Sequence, residues 1–267
     1  MQERKEQSKV EISVVTYVRN EEDIIERNID EMVGELENLG RSYEIIAVNV
    51  PSKDNSYEVM TKLADKHEHF YPINMVNVYG DTLQKGYQIL LGFRVARGKN
   101  IILTDSDGQP DPRDFKALLD KLDEGYDVVN GWRTKGETGM GLIYNLSSMM
   151  YNLINRVLTR VPVHDQNCGI KAFKAPAAKS ITLYGRNFRY MILQLLAKGF
   201  KITEVPVHWR KREGGIANFG FMDRLFGGTM DALIAFFVVR MVDKPFRMWG
   251  AVSFLFGFLG FISLIKK

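Results

Sequence analysis

The chain has 267 residues, 45% of them hydrophobic and 25% charged, which excludes disorder and supplies a full core for one domain with an attached segment. Its 36 Lys and Arg against 32 Asp and Glu leave a formal charge of +4, too mild an excess to indicate nucleic acid, and no zinc-finger or RNP-like spacing argues for it. The single cysteine, Cys168, excludes an intramolecular disulfide framework and fits a reducing compartment.

In chain order, residues 1–10 are polar and lack the apolar stretch of a signal peptide, so a flexible, solvated lead-in is expected. Residues 12–18, ISVVTYV, read as a buried strand, and 21–39 as a helix with Ile24, Ile25, Ile29, Met32, Val33 and Leu36 on one face. A second strand at 43–48 enters the loop NVPSKDNS, and Tyr57, Met60, Leu63 and Ala64 mark another helix. A third strand is expected at 73–78, a third helix at 84–97, and a short apolar strand, NIILTD, at 100–105. This alternation predicts a mostly parallel sheet with helices on both faces. Ligands on such sheets sit beyond the carboxyl ends of strands, where Asn49 and the pair Asp105 and Asp107 fall.

In ILTDSDGQPDP (102–112), Ser106 lets the chain bend so that both carboxylates face one crevice. Oxygen donors of this kind suit Mg2+ or Mn2+, which keep waters while bridging substrate phosphates and can neutralise a departing diphosphate. The same residues also suit a polar turn that caps the helix starting near Asp114. YDVVNGWR (126–133) reads as a strand ending in Arg133, either a bidentate anion ligand or a surface arginine. From Asn145 to Leu158, Leu146, Met149, Met150, Leu153, Ile154, Val157 and Leu158 recur at helical spacing, for a core or for the bilayer side of a site.

VHDQNCGIKAF (163–173) is polar before becoming strand-like, and His164 with Cys168 has neither the spacing nor the ligand count of a zinc site. Asp165 can orient an acceptor, serve as a base or cap a loop. FKITEVPVHWRKREGG (200–215) is a strand interrupted by Pro206 that turns basic at Arg210, Lys211 and Arg212. Its Gly214-Gly215 loop can close over phosphates, with a plain surface basic cluster as the alternative.

Residues 219–245 carry an interrupted amphipathic pattern through Met222, Leu225, Phe226, Met230, Leu233, Ile234 and Phe237, expected as juxtamembrane interfacial helices. Trp249 to Ile265 contains no charge, and Phe246 and Met248 extend it to the roughly 20 residues of a bilayer span. Residues 246–267 are therefore expected as a transmembrane helix with a basic tail, against the alternative of a buried terminal helix. The crevice then lies close to a membrane surface, where lipid-linked substrates become plausible.

Seven segments, SVVTYVRNEED, NVPSKDNS, Lys85-Gly86, DSDGQPDP, VVNGWR, DQNCGIKAF and EVPVHWRKREGG, stand in an order that resembles the family-2 glycosyltransferases with a GT-A fold. The likeness covers roughly residues 11–218 and is greatest to the polyprenyl-phosphate sugar synthases related to dolichyl-phosphate mannose and undecaprenyl-phosphate glucose synthases. It implies a GT-A, Rossmann-like domain in which Asp105 and Asp107 hold Mg2+ or Mn2+ and the donor diphosphate. It further places Asn49, Lys85, Arg210 and Arg212 among the donor contacts, and Asp107, Arg133 and Asp165 at the reacting groups, with Asp165 near the acceptor. The implied reaction is inverting transfer of one sugar from a nucleotide-diphosphate sugar, UDP preferred over GDP, to a membrane polyprenyl phosphate. The catalytic domain would face the cytoplasm, with a homo-oligomer as an open partner.

Val48-Asn49-Val50-Pro51-Ser52 departs from the family's Val-Asp-Asp-Gly-Ser, so Asn49 offers an amide where a carboxylate is usual. Thr82 and Gln84 stand where many members have Asn and Gly, and Ala217 where Ser is common. Two other readings remain at this point: transfer to another lipid or glycan, and a catalytically impaired GT-A membrane scaffold or partner subunit.

Overall fold

The computed structural model describes residues 10–76, 84–133, 161–183 and 187–211, together with 249–250, 253–254, 256–258 and 262. The elements in order are β1 (Ile12–Val18), α1 (Ile25–Leu39), β2 (Tyr43–Asn49), α2 (Ser56–Lys66), β3 (Phe70–Asn74), α3 (Gln84–Val95) and β4 (Asn100–Asp105). A 3-10 turn at Pro112–Asp114 leads into α4 (Phe115–Asp123), followed by β5 (Val128–Arg133), β6 (Lys171–Lys174) and α5 (Ala175–Ser180). A second 3-10 turn at Asn187–Tyr190 then enters α6 (Met191–Ala197), and β7 (Ile202–Val207) closes the series.

Among the described residues the strands form one sheet in the order β3-β2-β1-β4-β6-β5-β7. Only β6 runs against its neighbours, antiparallel to both β4 and β5; all other pairs are parallel, as the alternating pattern predicts. The central strands are apolar on both faces because helices cover both. On one face Val14, Val18, Ile45 and Ile102 pack with Ile29, Met32 and Leu36 of α1, Met60 of α2 and Leu118 of α4. On the other, Val15, Ile46, Val48, Ile101 and Leu103 meet Ile89 and Phe93 of α3, Ala177 of α5 and Leu193 of α6. The face picked out on α1 by spacing alone is the buried one.

The third strand lies earlier than 73–78, because its register against β2 runs from Ile45–Phe70 to Asn49–Asn74 and its partner ends there. Met75 N still donates to Asn49 O at 2.8 Å, the last rung among the described residues, and residues 77–78 of the expected strand lie outside them. Pro206 does not interrupt its strand. It sits inside β7, an outer strand in this order, where the missing N–H leaves no ladder bond broken.

The helical stripe at 145–158 and the interfacial segment at 219–245 lie outside the described residues. Among the described residues no helix is long and apolar enough to cross a membrane. Within the expected span, the described residues Trp249, Phe254, Phe256 and Phe258 are helical, and their side chains are 58%, 75%, 68% and 53% exposed.

Candidate active site

The sheet brings the sequence-predicted residues to one edge. β1, β2, β4, β5 and β7 all run the same way, so Asn49, Asp105, Arg133 and the segment after Val207 emerge together. β6 runs the other way, so the segment that precedes it, residues 165–170, arrives at that same edge. Lys171 is thereby paired with Leu103 on one side and Asn130 on the other.

Asp105 ends β4 with its side chain 18% exposed, and Lys85 Nζ, from the first turn of α3, lies 3.6 Å from its Oδ1. That ammonium is also 4.2 Å from the centre of the Tyr17 ring and 5.2 Å from that of Phe188, so apolar faces position a cation beside the carboxylate. Gly169 closes the other side: a Cβ there would sit 2.3 Å from Asp105 Oδ2, so any larger residue would displace the carboxylate.

The chain then turns through Gly108, whose φ of +70° suits glycine. Ser106 Oγ donates to Tyr17 O at 2.7 Å, and Asn28 Nδ2 donates to Ser106 O at 3.0 Å, fixing the bend between the two carboxylates. Asp107, only 6% exposed, accepts from Gln109 N at 3.2 Å. With its amide oriented to satisfy both neighbours, Gln109 donates to Asp107 Oδ2 at 3.0 Å and accepts from Trp209 Nε1 at 3.1 Å. The capping role falls on neither carboxylate. Asp111 caps the 3-10 turn by accepting from Arg113 N at 3.0 Å.

Arg133 and Asp165 form a bidentate pair, Nε to Oδ2 at 2.5 Å and Nη2 to Oδ1 at 2.9 Å, with side chains 21% and 6% exposed. The guanidinium carbon is 5.0 Å from the centre of the Trp209 ring. Trp209 therefore links the Asp107 side of the site to the Arg133 side. Behind the pair, burial, with the Asp165 charge adding to it, pushes the Cys168 thiol up to about 12, so it stays protonated and is a poor nucleophile at neutral pH. His164 stacks on Trp132 with ring centres 4.5 Å apart, and its Nδ1 is joined to Glu204.

The remaining predicted donor residues are placed differently from one another. Asn49 is 2% exposed, its Nδ2 donating to Asn74 Oδ1 at 2.9 Å and its Oδ1 accepting from Ser52 Oγ at 2.8 Å, so neighbours engage both ends of the amide. Arg210 reaches Glu31 at 2.5 Å and Asp111 at 3.0 Å, an ion-pair cluster beside the site instead of an open anion contact. Its backbone N donates to Gln109 O at 2.8 Å, which holds the segment after β7 against the turn after β4. Arg212 lies outside the described residues.

Burial favours the neutral form of Asp111, but hydrogen bonds from Arg113 and Arg210 outweigh it and hold the carboxyl near 2, against an ordinary 3.8. The contribution of this pairing is therefore complete above about pH 4 and disappears as pH falls through about 2. Discounted for the exposure of Arg113, it amounts to roughly 1–2 kcal/mol. Asp111→Asn is expected to cost that much at pH 7 and to flatten the stability profile between about pH 4 and 2, read by urea unfolding at each pH. A profile that keeps its full acid slope in the variant would remove Asp111 as its source.

Asp105 and Asp107 present hard oxygen donors that suit a divalent cation. Among the described residues no cluster of three or more His, Cys, Asp or Glu forms a complete protein cage. Two carboxylates fit a cation that takes its other ligands from diphosphate oxygens and water. Four residues that the motif reading passed over complete the arrangement: Gln109, Trp209, Asn130 and Lys171. Each lies within a segment already singled out, and only the burial of Lys171, in a strand that reads KAFK, marks it apart from a surface lysine.

A family model described as "Glycosyl transferase family 2" matches residues 13–182. Among curated relatives, the undecaprenyl-phosphate 4-deoxy-4-formamido-L-arabinose transferase of Salmonella paratyphi A is 29% identical over 253 residues, covering 94% of this chain and 73% of that protein. Among solved structures, mannosyl-3-phosphoglycerate synthase from Rubrobacter xylanophilus superposes with a TM-score of 0.64 at 19% identity, covering 90% of this chain and 75% of that one. Glucosyl-3-phosphoglycerate synthase from Mycobacterium tuberculosis, solved with Mn2+, UDP-glucose and phosphoglyceric acid, gives a TM-score of 0.60 at 19% identity, with 86% and 79% coverage. The sheet order thus belongs to a shared GT-A architecture, and the match over residues 13–182 shows that the chain belongs to glycosyl transferase family 2.

Proposed function

We propose that the chain transfers one sugar, with inversion, from a nucleotide-diphosphate sugar to a membrane polyprenyl phosphate. The observation that carries this reading is the meeting, at one sheet edge, of the Asp105 and Asp107 carboxylates, which suit a divalent cation, with the Arg133 guanidinium, which suits a phosphate. The near full-length likeness to an undecaprenyl-phosphate sugar transferase supports the acceptor class. The UDP-glucose and Mn2+ held by a structure of the same fold support a UDP-sugar donor and a divalent metal.

Asp105 and Asp107 would hold Mg2+ or Mn2+, which neutralises the charge that collects on the departing nucleotide diphosphate. Lys85, beside Asp105, adds a positive charge on the same side. Arg133 brings its guanidinium charge to an acceptor phosphate, while Asp165 fixes the plane of the guanidinium. A phosphate acceptor is already anionic near neutral pH and needs no strong base, which agrees with an Asp165 whose oxygens are both engaged. Residues 11–218 form the transferase domain, 219–245 lie at the interface and 246–267 span the bilayer, with the site on the cytoplasmic side.

Labelled UDP- and GDP-sugars offered with undecaprenyl phosphate and Mn2+ should yield labelled lipid, with the UDP-sugar as the better donor. Label appearing only in another lipid or glycan overturns the acceptor, and failure of folded protein to bind any donor leaves a scaffold. Gly169→Ala should weaken binding of nucleoside diphosphate with Mn2+ by at least about tenfold in calorimetry, since the new methyl displaces the Asp105 carboxylate. Unchanged binding would mean that Asp105 does not contact the donor. Membranes washed at high salt should retain the full-length chain, because aromatic side chains such as Phe254 and Phe256 are exposed and a bilayer span is not held by ionic attraction. Release by salt alone would leave only a surface anchor.

A further inference from the structure

Lys171 opens β6 and is only 4% exposed, yet none of the roles above employs it. A buried ammonium is costly unless acceptors saturate it. Here Nζ donates to Asn130 Oδ1 at 2.5 Å, to Cys168 O at 2.8 Å and to Gln166 O at 3.0 Å, which uses all three of its N–H bonds.

Two of those acceptors belong to the loop that carries Asp165. The third, Asn130, turns its own Nδ2 to Asp165 O at 2.8 Å and to Gly131 O at 2.7 Å. One ammonium and one amide therefore grip the carbonyls of residues 165, 166 and 168, directly behind the carboxylate that holds Arg133. Burial pulls the ammonium below the usual lysine range, the Arg133 charge adds to that pull, and the Asp165 and Asp105 carboxylates oppose it, which places the cation among the charged groups of the site. An apolar residue of similar volume would fill the same space without this desolvation cost, so the lysine is best explained by what it orients.

We propose that Lys171, with Asn130, is a positioning residue that fixes the 165–168 loop so that Asp165 presents Arg133 to the acceptor. This rests on the proposed transfer reaction. Lys171→Met keeps the stem and removes the donors, and should lower sugar transfer about 10- to 30-fold while the Kd for UDP with Mn2+ stays within about twofold. In an Asp165→Asn background the same change should cost under about threefold more, because the loop then has no carboxylate to orient. Asn130→Ala should reproduce the pattern, and it decides the matter if Lys171→Met fails to fold.

Folded variants that transfer at the wild-type rate overturn the inference, as do losses that multiply fully with Asp165→Asn, which is the mark of a merely structural lysine. A wild-type chain that transfers nothing to undecaprenyl phosphate overturns the parent reading and the inference together. Wild-type transfer with unaffected variants overturns the inference alone.

Discussion

Asp105→Asn and Asp107→Asn are each expected to lower sugar transfer by at least about 100-fold, the equivalent of roughly 3 kcal/mol of lost transition-state stabilisation. Each change keeps size and removes charge, so the loss falls on the metal and the diphosphate and not on packing. The two variants should differ in stability. Asp105 has a half-open ammonium neighbour in Lys85, and its loss of charge costs the fold little. Asp107 instead accepts from both Gln109 N and the Gln109 side chain, which in turn accepts from Trp209, and an amide at 107, with one acceptor oxygen, must forfeit one bond of this chain. That leaves a buried polar group short of a bond, about 1–3 kcal/mol. Transfer rates, UDP calorimetry with and without Mn2+, and thermal unfolding read the three effects apart. Full activity in both variants would falsify the metal assignment.

The left half of the sheet was legible in the sequence because it obeys the simplest rule: strand, helix, parallel strand, each with an unbroken apolar run. β1, β4 and the buried face of α1 fall where periodicity puts them. The third strand was displaced because INMVNV continues an apolar signal past the point where its partner strand ends, and only pairing reveals an end. The short helices α5 and α6 left no trace in the reading, since six and seven residues give too few turns to establish a period.

The site followed the same division. Asp105, Asp107 and Arg133 were legible because each stands at or just beyond the carboxyl end of a strand, where a parallel sheet collects ligands. Asp165 was found only as a polar cluster, for it precedes its strand, and nothing local announces that β6 is reversed. That reversal brings Gly169 against Asp105 and Asp165 against Arg133, so the two sides of the site meet through a strand whose direction the sequence conceals. Arg210 shows the converse. Its basic context suggested an anion contact, but Glu31 and Asp111, distant in sequence, take its guanidinium and make it a clamp on the turn after β4.

Disrupting the Arg133–Asp165 pair is the second change of large expected effect. Arg133→Met should reduce transfer by about 100-fold, through the lost contact to an anionic acceptor, with UDP binding nearly unchanged. Asp165→Asn leaves the guanidinium in place but frees its plane to turn, and should reduce transfer by about 10- to 100-fold through misorientation. Both single changes strand a charge in a setting that is mostly shielded from water, so each should cost roughly 1–3 kcal/mol of stability, below the figure for a fully buried pair because Arg133 is 21% exposed. The double variant Arg133→Met with Asp165→Asn removes both charges and should recover part of that stability while recovering none of the activity. Arg133→Lys separates charge from geometry: a lysine keeps the cation and loses the planar fork, so transfer should remain at least about tenfold below wild type. If Arg133→Lys transfers at the wild-type rate, the bidentate pairing is structural only. If Arg133→Met instead abolishes UDP binding, the arginine contacts the donor diphosphate and the acceptor phosphate must be held by other groups.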